Sequence, residues 1–231
     1  MSTQTTIDLS PVIDAVVTLA GEAFTVADEV AASVRAQIND EIPTSRDAFA
    51  SVELVARRAI ASPGSRIQGA GFVSAVGLLP DDQWWLEWFV RESDDRAGRL
   101  EVSTDPTAMG FHDYERQPWY RVPQATGQPH VTGPYVDNMC SQDYTLTFTK
   151  PMTVRNRFVG VAGADIDVRS AEQVLLPVLR AVPAAVGVVN ADGRTLVSNR
   201  GDLVCGELLP APINQYNSKP LPGLPLRVIL L

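Results

Sequence analysis

Tyr114-Glu115-Arg116-Gln117-Pro118-Trp119-Tyr120, then Gly133-Pro134-Tyr135-Val136-Asp137, then Thr145-Leu146-Thr147-Phe148-Thr149, and finally Gly160-Val161-Ala162-Gly163-Ala164-Asp165-Ile166-Asp167 decide how this chain folds. The stretch sets aromatic and polar side chains just ahead of two strands that end on a pair of aspartates. Pro118 suits the first turn of a short helix, where its missing N–H is not needed, and that helix carries Trp119, Tyr120 and Val122. Residues 144–154 and 157–167 read as strands around the short turn Arg155-Asn156, which predicts a hairpin.

Upstream, the hydrophobic period changes twice. Behind Ser10-Pro11, where serine can cap and proline is tolerated, Val12, Ile13, Val16, Leu19, Ala20, Phe24, Ala27, Val30, Val34 and Ile38 recur every three to four residues. One long amphipathic helix to about Asn39 is predicted, and its apolar stripe can lie on a sheet or pair with its copy in a homodimer. A second helix starts near Thr44 or Ser45, behind Pro43, and stops at Pro63-Gly64. From Ile67 the period becomes that of strands: residues 70–76, 84–90 and from 99 onward, with Pro80-Asp81-Asp82 and Ser93-Asp94-Asp95 as turns, predict an antiparallel meander.

Downstream, Ser170-Ala171-Glu172-Gln173 has the pattern of a capping box, and the helix behind it meets Pro177, which can kink or shorten it. Residues 185–189 and 194–198 flank Asn190-Ala191-Asp192-Gly193, a strong hairpin signal. A proline-rich loop and a last apolar strand, residues 226–231, follow, and they are expected to be too little for a full second sheet.

The order of these motifs resembles the Cache family of small-molecule sensor domains, with its Pro-Trp-Tyr helix start, Pro-Tyr strand edge and Gly-x-Asp-Ile strand end. The resemblance covers roughly residues 66–180, is weaker for the N-terminal helices, and after residue 181 reaches only the opening of a second such module. It implies an α+β fold: a PAS-like antiparallel sheet with a long N-terminal helix and a truncated second Cache module. The organisation expected is therefore a helical segment, 1–62, packed on the sheet; a ligand-binding module, 66–180; and a partial second module, 181–231.

In the subfamily that binds amino acids, the resemblance assigns the ligand to an Arg-x-Trp-Tyr run, the tyrosine of Pro-Tyr and the aspartate of Gly-x-Asp-Ile. Those roles fall here on Trp119, Tyr120, Tyr135 and Asp165, with Tyr144 as a further aromatic wall. The arginine does not carry over. Gln117 stands in its place, and an amide lacks the charged fork that holds a carboxylate in two parallel hydrogen bonds. Arg116 and Arg121 are displaced in register and leave a short helix on other faces. A carboxylate at a partly dry strand end needs a cation, and aromatic faces attract one by about 0.5 to 2 kcal/mol each. Asp167, next to a helix start, reads as structural. Of the three clustered tryptophans, Trp84 and Trp88 should share a face opposite Trp85, two of the three serving the core and one a pocket or interface.

The net charge of −8 argues against nucleic acid and anionic membranes as partners. The N-terminus lacks a secretory pattern, and no uninterrupted apolar run approaches the roughly 20 residues of a bilayer span, so a cytoplasmic location is expected. Cys140 and Cys205 form no Cys-x-x-Cys pair and read as free thiols. His112 and His130 stand in no metal-ligating spacing, no nucleophile motif occurs, and no cofactor is implied. The expectation is a non-enzymatic sensor of a small metabolite, amines favoured, amino acids next, then carboxylates, acting through an output protein or through oligomerisation. The alternative is an assembly subunit with a vestigial pocket.

Overall fold

The computed structural model describes residues 7–39, 41–93, 96–136 and 144–231. Asp137 and Cys140 lie outside these residues. Helix α1 (Ser10–Ile38) runs to Asn39, whose left-handed φ of 48° ends it. Its start differs from the capping expected of Ser10: Leu9 is the N-cap, and Asp8 Oδ1 takes the Ser10 N–H at 2.9 Å. A 3-10 turn (Arg46–Phe49) leads into α2 (Ser51–Ala61).

Six antiparallel strands follow: β1 (Ile67–Ser74), β2 (Leu86–Ser93), β3 (Arg96–Arg99), β4 (His130–Val136), β5 (Tyr144–Val154) and β6 (Arg157–Asp167), in the spatial order β3-β2-β1-β6-β5-β4. The strands expected at 70–76 and 84–90 each shift by two or three residues, and the one expected from 99 ends there instead. Arg155 and Asn156 both take positive φ, 48° and 63°, as a tight two-residue hairpin requires. Between β3 and β4, a 3-10 turn (Tyr114–Arg116) is followed by α3 (Pro118–Thr126), with Pro118 in its first turn and Gly127 closing it at φ 67°.

Alternation along the strands sorts two faces. Phe72, Phe89, Leu146, Phe148, Ala164 and Ile166 point to α1 and α2 and build the main core, with Phe24 set edge-on to Phe148 at 5.5 Å. The apolar stripe of α1 is thus covered by the chain's own sheet. By length and apolar content this 29-residue helix would also suffice to cross a bilayer, which a search for an uninterrupted apolar run misses. The opposite face carries Val73, Leu86, Trp88 and Val161 under Tyr114, Trp119 and Tyr120, and it is this face that holds the polar residues of interest.

Helix α4 (Val168–Ala181) continues through Pro177. Its N-cap is Asp167, which accepts both the backbone N–H and the hydroxyl of Ser170, at 2.7 and 2.8 Å. The N-cap therefore lies three residues before the serine that the capping-box pattern singles out, and Asp167 has the structural role expected of it. The C-terminal strands β7 (Val186–Asn190), β8 (Thr195–Ser198), β9 (Ser218–Pro220) and β10 (Leu226–Leu230) form a second sheet ordered β8-β7-β10-β9. The short β9, hidden in the proline-rich loop, and the central position of β10 let so few residues make four strands.

Candidate functional site

Thr145, Thr147 and Thr149 alternate with Leu146 and Phe148 on β5, so the threonines face away from the helices. Thr149 donates to the backbone oxygen of Trp119 at 2.7 Å and ties the start of α3 to the sheet. Thr147 donates to Asp165 Oδ1 on the neighbouring strand at 2.6 Å, and its oxygen lies 2.8 Å from the Tyr135 hydroxyl. Asp165 is 4% exposed. A buried carboxylate keeps its charge only with hydrogen-bond donors or a cation at hand, and here a hydroxyl chain from two adjacent strands supplies part of that support.

The placement of Tyr135 depends on an irregularity. Thr132 is opposite Thr147 and Tyr135 is opposite Thr145, so β4 spends three steps where β5 spends two. Without the extra residue, Tyr135 would point to the other side; the bulge returns it to the face of Thr132 and Asp165. Thr132 Oγ1 is buried there without a hydrogen-bond partner among the described residues. His130, opposite Thr149, is half-buried, and burial holds its imidazole below the usual histidine range.

Trp88 fills the centre of the face. Its ring lies over glycines: a Cβ added to Gly71 would come 2.8 Å from Trp88 Cε3, and one on Gly163 would come 3.2 Å from Cη2. Trp84, which precedes β2 rather than lying in it, stands edge-on to Phe111 and Tyr114 at 4.8 and 4.9 Å. Trp85 lies in the other core, under Arg46 and Arg99. The division of the three tryptophans between two faces is as expected, although only Trp88 reaches the neighbourhood of Asp165.

The sequence candidates do not all converge. Asp165 and Tyr135 meet through Thr147, and Trp119 roofs the same face. Tyr120 is fully buried but packs edge-on against Phe158 at 5.6 Å, seven residues from Asp165 on β6, or roughly 23 Å at the usual strand rise. Burial raises its hydroxyl above the usual tyrosine range. It is a core residue of the far end, held there with Tyr114, whose hydroxyl donates to Ser74 O and is pushed up to about 12 by burial. Tyr144 shares the parity of Leu146 and Phe148, not that of Thr147. It is 43% exposed, and its ring abuts Gly206 of the C-terminal unit. Gln117 is the half-buried N-cap of α3, with no capping bond from its side chain. Arg121 is exposed, and Arg116 is exposed and paired with Asp113 at 2.9 Å.

Thr147 and Thr132 were not among the sequence candidates. The alternation of threonines on β5 was a usable signal for the first; the bulge hides the second. Among the described residues no group of histidine, cysteine, aspartate or glutamate side chains is placed to hold a metal ion. His112 is exposed, its Nδ1 at 2.9 Å from Gly110 O. Cys205 is a free, half-buried thiol whose pKa burial pushes up to about 12, which makes it a poor nucleophile. A surface cleft of about 430 Å³ lies on the C-terminal sheet beside Ser218 and Arg227, away from Asp165.

Residues 89–173 match the family model of the methyl-accepting chemotaxis protein-like first PDC sensor domain. Over 119 residues, about half of this chain, the sequence is 29% identical to the methyl-accepting chemotaxis protein PscA of Pseudomonas syringae pv. tomato, of which the match spans only 18%. Among solved structures, the ligand-binding domain of the Pseudomonas fluorescens chemoreceptor CtaA in complex with L-valine superposes with a TM-score of 0.61 at 19% identity, covering 95% of this chain and 91% of that one. The same domain in complex with L-serine gives 0.61 at 17% identity, with the same coverage. The fold is that of PDC-type, Cache-like sensor domains.

Proposed function

We propose that this chain is a ligand-binding sensor module of the chemoreceptor type, which takes a small ammonium-bearing metabolite over the sheet face that carries Asp165. The observation behind the reading is the buried Asp165 carboxylate, oriented by the Thr147 and Tyr135 hydroxyls on a face roofed by Trp119. A ligand ammonium placed there gains a charge-assisted hydrogen bond and the faces of nearby aromatic rings. The role is binding and not catalysis, and output passes to a partner or to a change of oligomeric state.

Amines rank above amino acids because Gln117 stands where the resemblance calls for a guanidinium, and the two nearby arginines, Arg116 and Arg121, are solvent-exposed. An α-carboxylate taken out of water without a charged partner is costly, and an amine avoids that term. A second reading, an amino-acid sensor, draws on the CtaA complexes with L-valine and L-serine and requires some other donor for the carboxylate.

Thermal shift with matched pairs, each an amino acid and its decarboxylated amine, separates the two readings. The proposal expects the larger stabilisation from the amine of at least one pair. Stabilisation by amino acids alone would favour the second reading, and no shift by either class would leave the vestigial-pocket alternative.

A further inference from the structure

Trp88 Nε1 is a hydrogen-bond donor without an acceptor. The side chain is 6% exposed, and among the described residues no oxygen accepts from it. A buried N–H left unpaired is uncommon in folded proteins and calls for a partner that comes from outside the chain.

The atom is also aimed. A Cβ placed on Gly69 would lie 2.8 Å from Trp88 Nε1 and 2.8 Å from Asp165 Oδ2, closer than a carbon can come, so the two polar atoms close over the same glycine and lie near each other. Gly69 is not required by backbone geometry, since its φ is not in the left-handed region; its lack of a side chain lets Trp88 Nε1 and Asp165 Oδ2 come this close to the backbone. Thr132 Oγ1, another buried polar atom on this face without a partner among the described residues, lies across β5 from the same carboxylate.

We infer that Trp88 Nε1 donates to an uncharged oxygen of the ligand, beside the ammonium held by Asp165. The ligand class is then a short amine that carries a hydroxyl or amide oxygen one or two carbons from its nitrogen. One neutral N–H next to a carboxylate selects such an oxygen. A ligand carboxylate would meet repulsion from Asp165 and would lack a charged fork. The inference deepens the ammonium reading and rests on it.

Calorimetry on the full chain with ethanolamine and glycinamide, against propylamine as a probe of similar size without oxygen, tests it. The wild-type chain should bind the oxygen-bearing probes about ten-fold more tightly, and Trp88→Phe should erase that ratio while propylamine binding stays near its original value. A second measurement needs no variant: one indole N–H resonance should move downfield with ethanolamine and stay in place with propylamine. If both kinds of probe bind and neither the ratio nor the resonance responds to the oxygen, Nε1 serves a resident water and the inference is wrong while the ammonium reading stands. If no amine binds the wild-type chain, both fall together.

Discussion

Thr147 Oγ1 donates to Asp165 Oδ1 at 2.6 Å, from one strand to the next across the face that α1 and α2 leave uncovered. The same oxygen meets the Tyr135 hydroxyl at 2.8 Å, so a threonine absent from the family motif joins two residues that belong to it. Thr147→Val keeps the shape and removes the hydroxyl. A buried hydrogen bond to a charged group lost in this way should lower stability by about 1.5 to 3 kcal/mol and weaken an ammonium ligand, whereas Thr147→Ser should restore most of both. Chemical denaturation and calorimetry on the two variants check this; a neutral Thr147→Val would show that the contact does not orient Asp165.

Asp167 should behave as a cap. Asp167→Asn keeps an acceptor for Ser170 but weakens two charge-assisted bonds, and Asp167→Ala removes them. The alanine variant should cost about 0.5 to 2 kcal/mol of stability, while the dissociation constant of any ligand stays unchanged once the protein is folded. A large loss of affinity at full stability would place Asp167 in the site.

Much of this was legible in the chain itself. Pro118 at the first turn of α3, the Arg155-Asn156 hairpin and the apolar stripe of α1 rest on local rules that the structure obeys. Asp165 and Tyr135 were found because they stand in a motif. Tyr120 stands in the same motif and Tyr144 was added as a further aromatic wall, but helix geometry sends Tyr120 toward Phe158 and strand parity sends Tyr144 toward Gly206. The bulge in β4 and the close approach of Trp88 to the backbone of Gly69 arise from tertiary pairing, which no single-strand period records. The Asp167 cap won over the Ser170 box because strand β6 ends directly at the helix.

His130 gives the fold a pH dependence of known sign. Burial lowers its folded-state pKa below the roughly 6.5 of the unfolded chain, so in mildly acidic solution the unfolded state binds a proton that the folded state resists. Stability from this group is present above that value and is lost as pH falls below it. His130→Gln should flatten the decline in melting temperature between about pH 7.5 and 5.5. Parallel profiles for wild type and variant would mean that His130 is not shielded.

Gln117→Arg tests the ranking of amines over amino acids. If residue 117 borders the ligand, a guanidinium there should shift the ratio of amino-acid to amine affinity about ten-fold or more toward the amino acid, with Asp165 still holding the ammonium. An unchanged ratio in a folded, binding-competent variant would show that the N-cap of α3 points elsewhere. Tyr144→Ala, by contrast, should leave affinity unchanged, because its ring rests on Gly206.

The central claim is that Asp165 holds a ligand ammonium. The direct measurement is the dissociation constant of the best-stabilising amine, by calorimetry, for the wild-type chain and for Asp165→Asn. Loss of a charge-assisted contact of about 1.5 to 3 kcal/mol predicts a ten- to hundred-fold weaker complex. An Asp165→Asn chain that folds and binds the amine as tightly as the wild type would contradict the account.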